Sequence, residues 1–167
     1  NHPFLEFLAK KKLPILLSSG ASSINEIKEA VRIIKKSGNK KILIMQCTLC
    51  YPTKPQDANL LAINDIKRNF PKYLVGLSDH TLGIEIASAS VLYGASAIEK
   101  HFTFNKKLSG PDHKSSINPN ELKHLIKGCE ANYLARGNIK KIFKAEKEIV
   151  SWARESVVTK KDVNINE

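Results

Sequence analysis

The sequence of 167 residues is short of acidic side chains, with 16 aspartates and glutamates against 27 lysines and arginines. It has no run of the roughly 18 apolar residues that a membrane-spanning helix needs. It also does not open with a charged segment followed by an apolar one, which is the pattern of a secretory signal peptide. These absences predict a cytoplasmic protein with no membrane partner.

The resulting formal net charge of +11 would suit a nucleic-acid partner if the basic residues were gathered in one patch. The lysines are instead spread over predicted helix faces and loops. We therefore expect no nucleic-acid partner, whereas a local excess of positive charge would still attract an anionic substrate.

Cysteine is scarce as well, and only Cys47 and Cys50 of the three are close together. Redox motifs with this spacing open a helix, but here Cys47 ends an apolar run and Pro52 follows soon after Cys50. A structural zinc site would need a second cysteine pair. The sequence therefore predicts reduced thiols.

Four short apolar runs alternate with helical patterns along the chain. The runs predict strands at 14–17, 41–45, 73–77 and 95–98, and the helical patterns predict helices at 23–38, 60–70, 84–92 and 118–135, after a first helix ending near 12. Apolar runs of this kind, with no pair close enough for a hairpin, indicate a parallel α/β sheet. A complete (β/α)8 barrel needs eight such units in roughly 250 residues, so four units predict half a barrel.

Two of the predicted helices begin with a capping-box pattern. Ser23 is followed by Glu26, and Asn118 is followed by Pro119 and Glu121. From residue 144 the composition becomes more charged, and residues 154–158 read as the first strand of a second domain. We therefore divide the chain into domains 1–143 and 144–167.

Two histidines, His80 and His101, directly follow the third and fourth predicted strands. Ligands of parallel α/β folds bind at the carboxyl ends of the strands, where loops vary without disturbing the core. Rings at two neighbouring strand ends can converge on one divalent cation. The competing interpretation is that each ring anchors its loop through hydrogen bonds.

Four sequence strings occur in order along the chain. They are Gln-Cys-Thr-x-x-Tyr-Pro-Thr at 46–53, Ser-Asp-His-Thr-Leu-Gly at 78–83, Glu-Lys-His-Phe-Thr at 99–103 and Gly-Pro-Asp-His at 110–113. Together they resemble the sialic acid synthase family, which includes the related legionaminic and pseudaminic acid synthases. These enzymes condense phosphoenolpyruvate with N-acetylmannosamine or a related N-acetylated amino sugar, forming a nine-carbon acidic sugar and releasing phosphate.

The resemblance implies the second half of a TIM (β/α)8 barrel, followed by the first residues of a small antifreeze-like (SAF) domain. It further implies that His80 and His101 hold a catalytic Mn²⁺ or Mg²⁺, and that Tyr51 lies at the junction of the two substrates. Ser18 and Ser78 match serines that bind phosphoenolpyruvate, although each could instead cap a helix.

The resemblance also places Asp112 on the sugar hydroxyls and His113 beside the same pocket, with an ordinary turn as the alternative role for Asp112. Leu49 departs from the family, because some members have an asparagine there that contacts phosphoenolpyruvate. Asp79 and Glu99 flank the two histidines, and either orient them or form salt bridges.

The full-length protein is expected to be a homodimer, as family members are. A lysine and a glutamate that the family contributes from earlier strands are not in this chain, so we expect the chain to be inactive alone. Two other functions remain open: another metal-dependent TIM-barrel aldolase, which would use pyruvate and release no phosphate, or a non-catalytic truncated product.

Overall fold

The computed structural model describes residues 1–165 and divides into two compact units, residues 1–136 and the residues from 137 onwards. The first unit contains one parallel sheet in which the strands lie side by side in chain order. The strands are β1 (Ile15–Ser18), β2 (Ile42–Cys47), β3 (Leu74–Asp79) and β4 (Ile98–Lys100). Parallel strands in chain order with a helix in each connection form the predicted half barrel.

The helices of the first unit follow the predicted alternation. They are α1 (His2–Lys10), α2 (Ile24–Lys36), α3 (Ala62–Asn69), α4 (Glu85–Ala89) and α5 (Pro119–Ala135). Both predicted capping boxes are present, Ser23 with Glu26 on α2 and Asn118 with Glu121 on α5. Each box satisfies backbone N–H groups at the start of its helix that have no partner within the helix.

The prediction of a helix at 84–92 was wrong in length, because α4 ends at Ala89. The Ser90 hydroxyl donates to the carbonyl of Ala87 at 2.7 Å, and the chain continues to Gly94 through turns with shorter-range backbone bonds. A serine that bonds nearby backbone in this way competes with the regular helical pattern.

Alternate residues of the strands point to opposite faces of the sheet. The helix face is covered by α2 and α3, where Ile44 and Val75 are fully buried. We call the opposite surface the site face, and its residues include Leu16, Ser18, Met45, Cys47, Gly76, Ser78 and Glu99. A Cβ atom on Gly76 would lie 2.6 Å from the sulfur of Met45 and 2.7 Å from the backbone oxygen of Ala97, so a larger residue would force the neighbouring chain to shift.

The second unit contains a short 3₁₀ helix and α6 (Lys147–Ala153). The predicted strand at 154–158 was wrong: these residues form no strand in the part of the chain that the structure describes, and Val157 and Val158 are exposed. A strand needs a neighbour to satisfy its backbone hydrogen bonds. None of the helices within residues 1–165 is long and apolar enough to cross a membrane.

Candidate active site at the carboxyl ends of the strands

Three aromatic rings meet where β3 and β4 end. In the register of these strands Asp79 lies opposite Lys100, so His80 and His101 emerge side by side. Their ring centroids are 5.3 Å apart and nearly perpendicular. The ring of Tyr51 lies 4.2 Å from that of His80 and 5.4 Å from that of His101. The structure therefore brings together the three residues that were predicted to be catalytic.

The loop after β2 brings Tyr51 to the histidines. Thr53 forms a bridge with Thr81, and its backbone N–H donates to the carbonyl of His80 at 2.9 Å. Partial removal of the Tyr51 hydroxyl from water raises its pKa above the ordinary value, and the nearby acidic groups of Cys47, Asp112 and Glu99 raise it further. The hydroxyl of Tyr51 therefore keeps its proton at neutral pH and can donate a hydrogen bond.

The His80 ring is oriented by a backbone group. Its Nδ1 lies 2.9 Å from the carbonyl oxygen of Thr48, and this oxygen can only accept a hydrogen bond. Nδ1 is accordingly assigned the proton, which leaves the lone pair on Nε2. This arrangement is typical of a histidine that binds a metal through Nε2.

His101 is more open than His80, and its Nδ1 lies 3.7 Å from a carboxylate oxygen of Asp112. The Asp112 main-chain carbonyl also accepts bonds from Ser115 and Ser116, which fold the loop into a turn. The main chain of Asp112 thus forms the turn, while its side chain lies beside the ring cluster. His113 bonds instead to the hydroxyl of Thr103 at 2.8 Å, so its ring is engaged in holding this loop.

The two predicted substrate-binding serines lie in different surroundings on the site face. The Ser78 hydroxyl donates to Glu99 at 2.7 Å, across the β3–β4 pair, so Glu99 acts here as a hydrogen-bond acceptor. The Ser18 hydroxyl is exposed and accepts a bond from the backbone N–H of Gly20 at 3.3 Å. Leu49 packs against Gly20, where an added Cβ would lie 2.7 Å from it.

Asp79 takes the second role considered for it, because it forms a salt bridge rather than contacting His80. Its carboxylate lies 2.7 Å from the ammonium of Lys100, and both side chains are buried. Sequence reasoning did not single out Lys100. The available signal was that Asp79 and Lys100 immediately precede the two histidines, which places the two residues in register on neighbouring strands.

The histidine pair fits part of a metal site. Within residues 1–165 no group of three or more histidine, cysteine or acidic side chains is arranged to hold a metal ion. The chain thus offers two imidazoles and no complete ligand set. Imidazole nitrogen suits a transition-metal ion better than Mg²⁺, which takes oxygen ligands and retains water.

The fold and the site together define half of a (β/α)8-barrel protein with a histidine pair at its strand ends. The NeuB family model matches residues 1–141, and the chain belongs to this family. It is 43% identical over its whole length to N,N'-diacetyllegionaminic acid synthase of Campylobacter jejuni, of which it covers 51%. It is 38% identical to N-acetylneuraminate-9-phosphate synthase of Mus musculus, with 83% of this chain and 38% of that protein covered.

The solved N-acetylneuraminic acid synthetase of Leptospira borgpetersenii, crystallised with citrate, has the same fold. The TM-score is 0.80 at 36% identity, and the match covers 90% of this chain and 52% of that one. The chain therefore spans about half the length of the relatives that it matches.

Proposed function

We propose that the protein containing this chain condenses phosphoenolpyruvate with an N-acetylated amino sugar, forming a nine-carbon, sialic-acid-like sugar and releasing phosphate. The observation that carries the proposal is the cluster of Tyr51, His80 and His101 at the strand ends. Two relatives are named as synthases of different sugars of this kind, so the proposal names the class of sugar.

His80 and His101 would hold a divalent cation, with Nε2 of His80 as one ligand. When bound there, the cation would act as a Lewis acid toward the aldehyde of the open-chain sugar. Tyr51, whose raised pKa keeps its hydroxyl protonated, would donate a hydrogen bond to the oxygen that gains negative charge. Asp112, beside His101, would accept hydrogen bonds from sugar hydroxyls.

Phosphoenolpyruvate would lie against the site face. Ser18 and Ser78 would donate hydrogen bonds to its carboxylate and phosphate oxygens, which requires Ser78 to turn from Glu99. In the reaction, C3 of phosphoenolpyruvate bonds to the aldehyde carbon, water adds at C2 and phosphate leaves. The residues of this chain would hold the two carbons in contact, and such positioning is a large part of catalysis.

Leu49 gives the proposed phosphoenolpyruvate pocket an apolar wall. Its side chain packs against Gly20 and cannot donate or accept a hydrogen bond. The polar contacts to phosphoenolpyruvate on this side would therefore come from Ser18 and from backbone groups near it.

The test is a product assay on the full reading frame that contains this chain. The purified protein is incubated with Mn²⁺, a panel of amino sugars and either phosphoenolpyruvate or pyruvate, while phosphate release and product mass are measured. We expect phosphate and a nine-carbon acid only with an N-acetylated sugar. A product formed from pyruvate without phosphate release would instead support an aldolase, and no product with any sugar would contradict the proposal.

A further inference from the structure

We propose that the buried ion pair of Asp79 and Lys100 is a positioning device for the histidine pair. Each member immediately precedes one histidine and points to the helix face, while the histidines lie on the site face. The inference rests on the proposed function only in taking His80 and His101 as the working pair of the site.

The ion pair ties the ends of both strands together at several points. The Lys100 ammonium lies 2.7 Å from Asp79 Oδ2 and 2.7 Å from the carbonyl oxygen of Thr81. The Asp79 carboxylate also accepts bonds from the N–H and the hydroxyl of Thr81, each at 3.0 Å. The residues on both sides of His80 are therefore bound to the residue before His101.

Besides the bonds of Lys100, β4 is held by the hydrogen bond of Ser78 to Glu99, and the chain directly after it by the bridge of Phe102 with Ile117. β4 pairs with β3 at only three positions, and its last pair is Asp79 with Lys100. The side chain of His101 contacts Asp112, which is 55% exposed, at the loose distance of 3.7 Å. The bonds of Lys100 are thus the side-chain connection that joins the residues directly next to His80 and His101.

The burial of the pair argues for positioning rather than for stability. The side chains of Lys100 and Asp79 are only 3% and 2% exposed, and removing two charges from water is costly. A buried ion pair can often be replaced by apolar residues without loss of stability. Val75 and Leu77 precede Asp79 on the same face of β3 and belong to the apolar core, so this face accepts apolar side chains. What apolar residues cannot supply is a directed set of bonds between the two strand ends.

The test uses a double variant of the full reading frame, Asp79→Asn with Lys100→Met. It removes both charges together, nearly keeps the side-chain volumes and retains an acceptor for the N–H of Thr81. The matched control is Glu29→Gln with Arg32→Met, which neutralises the exposed pair on α2 and also leaves the net charge unchanged. The readouts are the melting temperature, the Mn²⁺ dissociation constant, and the ring signals of His80 and His101 in NMR spectra without metal.

The double variant is expected to melt within about 5 °C of the wild type. Its Mn²⁺ dissociation constant should rise about 10- to 100-fold, as expected when residues that orient ligands are lost. The NMR signals of both histidine rings should shift. The control variant should change neither the Mn²⁺ dissociation constant nor the ring signals. Wild-type Mn²⁺ affinity and unshifted ring signals in a folded double variant would overturn the proposal.

If the double variant does not fold, Lys100→Arg keeps both charges, but its planar fork cannot reproduce the two bonds of the ammonium. It should fold and bind Mn²⁺ more weakly, and wild-type affinity would overturn the proposal. If the wild type binds no Mn²⁺, the metal role in the proposed function fails, and the ring signals alone decide whether the ion pair positions the histidines.

Discussion

The two faces of the sheet differ although the same strands build both. On the helix face, Ile44 and Val75 are fully buried against α2 and α3. On the site face, Leu16 and Leu74 are 55% and 62% exposed, and the hydroxyl of Ser78 bonds to Glu99. Because side chains alternate along a strand, one residue can pack in the core while the next residue belongs to the candidate site.

The alternation is sharpest where β3 and β4 end. Asp79 and His80 are neighbours in sequence, but one forms a buried ion pair on the helix face and the other joins the ring cluster on the site face. Lys100 and His101 repeat the same arrangement one strand further. Apart from the ion pair, substitutions on the two faces should therefore separate loss of stability from loss of activity.

The largest effect is expected on the helix face. Ile44→Ala should lower the free energy of unfolding by about 2–5 kcal/mol, because it leaves a cavity in the core that only partly collapses. Leu74→Ala, on the neighbouring strand but exposed, should lower it by less than about 0.5 kcal/mol. Urea unfolding of the 167-residue chain, with both variants at one concentration, makes the comparison. Equal losses would show that the two faces do not differ in packing.

The next effect is expected at the ring cluster. In the full reading frame, His101→Gln should lower the proposed condensation rate about 100-fold, equivalent to about 2.7 kcal/mol of transition-state stabilisation. The His101 side chain is 33% exposed and lies outside the apolar core, so the melting temperature should hardly change. His124→Gln, on the exposed side of α5, is the control and should retain full activity. Full activity of His101→Gln would remove His101 from the site.

The sequence predicted those features that depend on neighbouring residues. The capping boxes at Ser23 and Asn118 are local, and both are present. The apolar runs also predicted a parallel sheet, because the strands of such a sheet are buried on both faces and are therefore apolar along their whole length. The pairing of His80 with His101 followed from their positions directly after those strands, whereas the place of Tyr51 in the site came from the family resemblance.

The features that were missed depend on strand register or on a distant partner. The ion pair of Asp79 with Lys100 and the bond of Ser78 to Glu99 each join residues 21 positions apart. Both become visible only once β3 and β4 are aligned. Residues 154–158 carry a real preference for extended structure, but local preference does not supply a neighbouring strand.

A smaller effect concerns association of the 167-residue chain. Within the described residues β1 and β4 each have one side without a partner strand, and Leu16 and Leu74 are exposed on the site face. Open edges beside apolar surface favour self-association.

Leu16→Lys with Leu74→Lys should weaken that association about tenfold, which corresponds to about 1.4 kcal/mol. The control is Leu13→Lys with Leu61→Lys, because these leucines are equally exposed but lie outside the strands. Sedimentation equilibrium measures both variants. A wild-type chain that stays monomeric at all concentrations would contradict the prediction, as would an equal effect of the control.

The smallest effect is a pH dependence at the loop that carries Asp112. This loop is attached to α5 by an ion pair of Lys106 with Glu121 at 2.6 Å. The hydrogen bond from Lys106 is the main reason that the pKa of Glu121 lies below its ordinary value of 4.5, and the backbone N–H of Asn118 lowers it further. The stabilisation is therefore fully present above pH 4.5 and is lost as the pH falls through the lowered pKa.

Since the pair is about one-third exposed, its contribution at neutral pH should stay below about 1 kcal/mol. Glu121→Gln should accordingly be slightly less stable than the wild type at pH 7, and the difference should shrink toward zero as the pH falls below 4. Thermal unfolding of both proteins between pH 7 and pH 3 measures this. Glu130→Gln is the control, since Glu130 lies on the same helix without an ion pair among the described residues. A constant difference between Glu121→Gln and the wild type across this range would mean that Glu121 acts only as a neutral cap, and that charge does not hold the loop of the site face to the helices behind it.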